Sequence, residues 1–116
     1  MEKYIFIQGT VVDSNMSFDN IGSNEIDKYI GRPNVTIIDL RDSWEYNSGH
    51  IPTAINIPYD ELDDNKNRLS HNNLLIFYCE RGNISLLAAR DLLKEGYNIK
   101  SLYRGLNAYK GRLTSR

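Results

Sequence analysis

Cys79 is the side chain whose type and setting both suggest chemistry. It is the only cysteine, so it can form no internal disulfide, no CxxC redox pair and no cysteine-rich zinc site. What remains is a buried apolar filler or a nucleophile. Its neighbours decide between the two. The segment Cys79-Glu80-Arg81-Gly82-Asn83-Ile84-Ser85 follows an apolar run and precedes an amphipathic one, so the cysteine falls on a connecting loop and not within an element. Gly82 and Asn83 are residue types that readily take left-handed backbone angles. A tight loop of that kind turns successive N–H groups inward as a nest for anions. A helix starting just after it adds unpaired N–H groups and the positive end of its dipole. Such a field favours sulfur as the thiolate, and the same donors suit a bound oxyanion or a persulfide anion. The implied chemistry is nucleophilic attack by sulfur on an anionic substrate, through a covalent intermediate.

The elements that must position this loop are legible in the apolar pattern. Val35 to Leu40 is a β-branched run and Leu74 to Tyr78 a continuous apolar one, the pattern of strands buried on both faces. Ile84 to Glu95 reads as a helix with a stripe of Leu86, Leu87, Ala89, Leu92 and Leu93 and a stop at Gly96. Ser23 is a candidate cap for a short helix facing inward through Ile26, Tyr29 and Ile30, ended by Gly31 and Pro33. Ser43 to Ser48 reads as a short helix stopped by Gly49. Ala54 to Ile57 is a brief strand, Ile99 to Tyr103 a last strand, and Leu106 to Leu113 a final helix. Asp60 to Asn73 is polar and reads as a helical turn followed by a loop. Residues 1–16 contain an apolar run, Tyr4 to Val12, read as an added strand or extended arm, and residues 17–116 form the domain proper. Short buried strands alternating with helices predict an α/β fold, a small central parallel sheet with helices on both faces. Ligands bind at the carboxyl ends of such strands, which is where Cys79 falls.

Composition narrows the function classes. The 116 residues suffice for one compact domain with a real core. A net charge of −1 gives no reason to expect a nucleic-acid or membrane partner, and no apolar run approaches the roughly 20 residues that span a bilayer. The expected location is cytoplasmic, and no cofactor or metal is expected.

At the level of motifs, the chain resembles the single-domain rhodanese family, the rhodanese-like sulfurtransferases, from about Val35 to Arg112. Three blocks carry the resemblance. Ile38-Asp39-Leu40-Arg41-Asp42 followed by Gly49-His50-Ile51-Pro52-Thr53-Ala54-Ile55-Asn56-Ile57-Pro58 is similar to the family's GHI-x-GA-x-N-I-P block, with Thr53 at the usual Gly. The loop beginning at Cys79 and followed by Ser85 is similar to the family's six-residue persulfide loop, whose last position, often Arg, is Ile84 here. Leu102-Tyr103-Arg104-Gly105 through Tyr109 resembles the L-x-G-G-x-x-x-W end of the domain, with Tyr109 at the Trp. The resemblance implies that Cys79 takes sulfane sulfur from thiosulfate or a persulfide and passes it to cyanide or a thiol. Glu80, Arg81, Gly82, Asn83, Ile84 and Ser85 would then form the substrate cradle. A sulfur-relay protein is a further partner that it implies.

Two other readings share the architecture. A cysteine phosphatase or arsenate reductase generally needs an arginine closing the loop or further cysteines, and the closing positions hold Ile84 and Ser85. A non-catalytic binding or regulatory module fits the altered loop, but not the retained Cys79. Around the loop, Asp39 ends a strand and is assigned to holding loops through backbone N–H groups. Arg41 and Glu45 are placed to form a solvated pair, with Arg41 near the site, and His50 reads as a structural loop residue near the site rather than a base. Arg81 is a candidate source of the charge that Ile84 lacks.

Overall fold

The computed structural model describes residues 4–7, 10–13 and 19–115. In chain order the elements are β1 (Tyr4–Ile7), β2 (Thr10–Asp13), β3 (Asp19–Ile21), α1 (Ser23–Ile26), β4 (Val35–Asp39), α2 (Ser43–Ser48), β5 (Ile55–Asn56), β6 (Leu74–Tyr78), α3 (Asn83–Lys94) and β7 (Asn98–Leu102). Five of the strands form one parallel sheet in the order β3-β7-β6-β4-β5. The two most apolar runs, β4 and β6, lie side by side near its centre, as strands covered on both faces must.

Alternation along the strands sends side chains to two cores. On one face, Ile38, Leu40, Leu75, Phe77 and Cys79 meet Ala88, Ala89 and Leu92 of α3. On the other, Ile37, Ile76 and Tyr78 meet Ile26 of α1 and the loop residues Ile51 and Ala54. The expected α/β architecture with both faces covered is therefore present. The buried face of α3 is Ser85, Ala88, Ala89 and Leu92, at positions i, i+3, i+4 and i+7, while Leu86, Leu87 and Leu93 of the expected stripe are only half-buried. Two alanines at the contact leave space for the large side chains of the sheet. Complete burial of Leu92 stabilises the fold by roughly 1.5–3 kcal/mol.

Three local expectations change, and one strand is new. Tyr4 to Val12 is not one strand: β1 and β2 pair antiparallel as a sheet of their own, Tyr4 opposite Asp13 and Ile7 opposite Thr10. Strand β3 was not legible, because three residues, Asp-Asn-Ile, carry no periodicity and gain strand form by pairing with β7. Gly22, not Ser23, occupies the cap of α1; the Ser23 hydroxyl instead accepts the Lys110 N–H at 2.8 Å. The final helix shrinks to a 3₁₀ turn, Gly105–Ala108. Its first donors, unpaired in any helix, seat the turn: Leu106 and Asn107 N–H bond the Cys79 and Glu80 carbonyls. Beyond it the Lys110 N–H goes to Ser23 and not to Leu106, and Thr114 exchanges two backbone bonds with His50.

Candidate active site

The connections in the sheet reverse direction between β4 and β6. From β4 the chain moves to β5 on one side, and from β6 it moves to β7 on the other. A crevice opens at the carboxyl ends of strands where that reversal occurs. Here it is a cleft of about 370 Å³ lined by residues that include Leu40, Arg41, Tyr59, Cys79, Arg81 and Ile84.

Cys79 follows β6 directly and is 4% exposed. Its Sγ accepts the Gly82 N–H at 3.1 Å and the Ser85 N–H at 3.4 Å, so the loop does turn donors onto sulfur. Gly82 makes this possible. It caps α3 with φ +96°, and a Cβ there would lie 2.9 Å from the Arg104 nitrogen. The Ser85 hydroxyl lies 3.7 Å from Sγ, donates to the Gly82 carbonyl at 3.1 Å and accepts from Ser101 at 2.8 Å. Asn83 lines the cleft with Oδ1 3.9 Å from Sγ. Ile84 lines it too, half-buried and packed against the α3-side core. Glu80 and Arg81 line the cleft as well, with Asp42, Glu45 and Asp60 also in its wall.

A second layer ties the strand ends together. Register places Asp39 beside Tyr78. The Asp39 carboxylate, fully buried, accepts the Tyr78 hydroxyl at 2.6 Å, the Arg41 N–H at 2.9 Å and the Arg41 guanidinium at 2.8 Å. Arg41 continues to the Gly49 carbonyl at 2.6 Å and to Glu80 at 3.5 Å. Burial opposes its charge, but the hydrogen bonds and charge of Asp39 prevail and raise its pKa above the ordinary value. Burial first, then the Asp39 charge, pushes the Tyr78 phenol well above its ordinary pKa, so it remains a hydrogen-bond donor. Its oxygen accepts the Ile51 N–H at 3.1 Å, fixing the loop after α2 to the sheet.

Asp39 thus holds a backbone N–H, as expected, and also carries a buried ion pair. The anticipated pairing of Arg41 with Glu45 does not form. Glu45 instead accepts the Asp42 N–H at 3.2 Å and closes the capping box of α2, leaving Arg41 to turn inward. His50 does not line the cleft: it is buried, stacked on the Tyr46 ring at 3.7 Å, with Nδ1 donating to the Tyr46 carbonyl at 2.7 Å. Three contributors were not assigned to the site from the sequence: Tyr78, Ser101 and Gly105. The first two are polar groups within strand runs, a signal that was present. Gly105, at φ +63°, lies so close to the loop that a Cβ would meet the Cys79 carbonyl at 2.5 Å.

A model of the Rhodanese-like domain matches residues 23–112. The chain is 30% identical over 79 residues to the putative sulfur carrier protein YrkF of Bacillus subtilis, covering 67% of this chain and 43% of that one. It therefore spans less than half the length of that relative. The thiosulfate sulfurtransferase GlpE of Shewanella oneidensis is 29% identical over 94 residues, covering 80% of this chain and 93% of its own. The solved structure of a rhodanese-like domain protein from Staphylococcus aureus superposes with a TM-score of 0.77 at 27% identity, over 85% of this chain and 99% of that one. The matched residues run from α1 past the turn that seats the cysteine loop and include every residue of the cleft, and on that match the chain belongs to the rhodanese-like domain family.

Proposed function

We propose that the chain is a sulfurtransferase that carries sulfur on Cys79. In the first step the Cys79 thiolate attacks the outer sulfur of thiosulfate or of a persulfide. The donor S–S bond breaks, its electron pair leaves with sulfite or with the donor thiolate, and a Cys79 persulfide remains. In the second step a thiol or cyanide attacks the terminal sulfur of that persulfide and restores the thiolate. The two half-reactions share one site, so kinetics are ping-pong. The observation that carries this reading is the pair of N–H bonds to Sγ at 3.1 and 3.4 Å, at the cleft and in front of α3. Those donors suit anionic sulfur whether it is thiolate or persulfide.

The chemistry is complete with a small-molecule donor and acceptor, and needs no cofactor, nucleic acid or membrane. Among the described residues no helix is long and apolar enough to cross a membrane. A reducing compartment such as the cytoplasm would keep the thiol available between turnovers. The resemblance to the Bacillus relative, whose name is putative sulfur carrier protein, supports a sulfur-relay protein as the natural partner.

Intact mass spectrometry tests the reading. Incubation with thiosulfate or a persulfide is expected to add one sulfur atom, about 32 Da, which cyanide then removes. Cys79→Ser should never gain the adduct. Sulfur transfer that survives in this variant would overturn the assignment, since the chain has no second cysteine.

A further inference from the structure

The cradle under Cys79 suits an anion, but the walls above it do not. Four carboxylates line the cleft, Asp42, Glu45, Asp60 and Glu80, against two guanidiniums, Arg41 and Arg81. The charge of Arg41 is already taken by buried Asp39 at 2.8 Å, with Glu80 at 3.5 Å behind it. Arg81 forms no ion pair among the described residues, and it also borders a second pocket with Arg104 on the far side of the loop. A donor approaching Cys79 therefore crosses a net negative rim before it meets the N–H groups. A cleft lined by one sign of charge concentrates the opposite sign and repels its own.

We propose, resting on the sulfurtransferase reading above, that this rim selects the donor: a persulfide with positive charge close to its sulfur, in preference to the thiosulfate dianion. The Cys79 thiolate attacks the outer sulfur of R–S–S⁻, the donor S–S bond breaks, and R–S⁻ departs with the electron pair. The cation on R is drawn to Asp42, Glu45 and Asp60 while the sulfur pair reaches the Gly82 and Ser85 N–H groups. Thiosulfate brings two negative charges through the same rim and leaves as sulfite, again a dianion.

Two measurements on the full chain test this. The first reads the potential at sulfur without requiring transfer: rates of Cys79 modification by 2-aminoethyl and 2-sulfonatoethyl methanethiosulfonate, each divided by its rate with a neutral model thiol. The cationic reagent should be favoured at least ~5-fold at low salt, and the preference should shrink as screening shortens toward ~3 Å at 1 M. Asp60→Asn should narrow it and Asp60→Lys should narrow it further. The second compares persulfidation of Cys79 by cysteamine persulfide, 3-mercaptopropionate persulfide and thiosulfate, with the cationic donor expected to be several-fold fastest. Equal or reversed preference, with Cys79 persulfidated by all three donors, overturns this inference and leaves the sulfurtransferase reading intact. Absence of the adduct from every donor overturns both.

Discussion

Cys79 carries its sulfur among backbone dipoles, and what is missing around it is a side-chain cation at Ile84. An arginine at that position could add a charge-assisted hydrogen bond to an oxyanion, roughly 1.5–3 kcal/mol if aligned. At about 1.4 kcal/mol per tenfold, Ile84→Arg is expected to raise kcat/KM for thiosulfate by one to two orders of magnitude while changing persulfide donors little. The control is Arg81→Ala: if it abolishes thiosulfate use, Arg81 already supplies the charge. Thr53 offers a second test at this scale. It is exposed, β-branched and held at φ +71°, where an L-residue is strained by about 1–2 kcal/mol. Thr53→Gly relieves that strain and adds unfolded-state entropy, so a net gain of roughly 0.5–1 kcal/mol is expected in urea denaturation.

Between elements, two devices hold the loop in place, one ionic and one steric. The Asp39 carboxylate collects donors from Arg41 and Tyr78, and through them fixes Gly49, Ile51 and Glu80. Removing one partner from such a buried pair leaves an uncompensated charge and costs about 3–5 kcal/mol. Asp39→Asn is expected to lose stability of that order, measured by chemical denaturation at neutral pH. A loss below about 1 kcal/mol would show that Arg41 finds water or Glu80 instead. The steric device is the turn after β7. Leu106 and Asn107 N–H bond the Cys79 and Glu80 carbonyls at 2.9 and 3.0 Å, which requires Gly105 to lie against that backbone. Gly105→Ala should displace the loop, and the sign to look for is a fall in Cys79 alkylation rate or persulfide yield larger than the fall in global stability.

At the scale of the whole molecule, the C-terminal segment closes the fold onto its beginning. Tyr109 donates to Asp27 at 3.1 Å, Lys110 N–H reaches Ser23, and Thr114 bridges His50. Burial first, then the Asp27 hydrogen bond, pushes the Tyr109 phenol up to about 12. A phenol with a raised folded-state value keeps its proton longer when folded than when unfolded. Its contribution is therefore complete below about pH 10 and is lost as pH climbs toward 12. Tyr78, shifted the same way, adds to the trend. Urea midpoints are expected to fall between pH 10 and 12, and Tyr109→Phe should fall less steeply over that window. Identical slopes would show that the Asp27 contact contributes nothing to folding.

The sequence by itself determined whatever depends on local pattern and chain order. Apolar runs placed β4, β6 and α3, the Gly82-Asn83 turn marked the loop, and position after a buried strand singled out Cys79. The motif blocks pointed to the family to which the chain belongs. Tertiary structure decided whatever depends on which unconnected groups meet. Arg41 and Glu45 were close enough to pair along the chain, yet the buried carboxylate of Asp39 offered the guanidinium a drier and better-oriented partner. Leu106 to Leu113 had no reason to stop being helical until the Ser23 hydroxyl took the Lys110 N–H and Thr114 paired with His50. Strand β3 existed only as a partner of β7. Charge was the least legible of all: a chain with net charge −1 gave no sign that its acidic side chains would gather above the one cysteine, because that sum is taken over space and not over sequence.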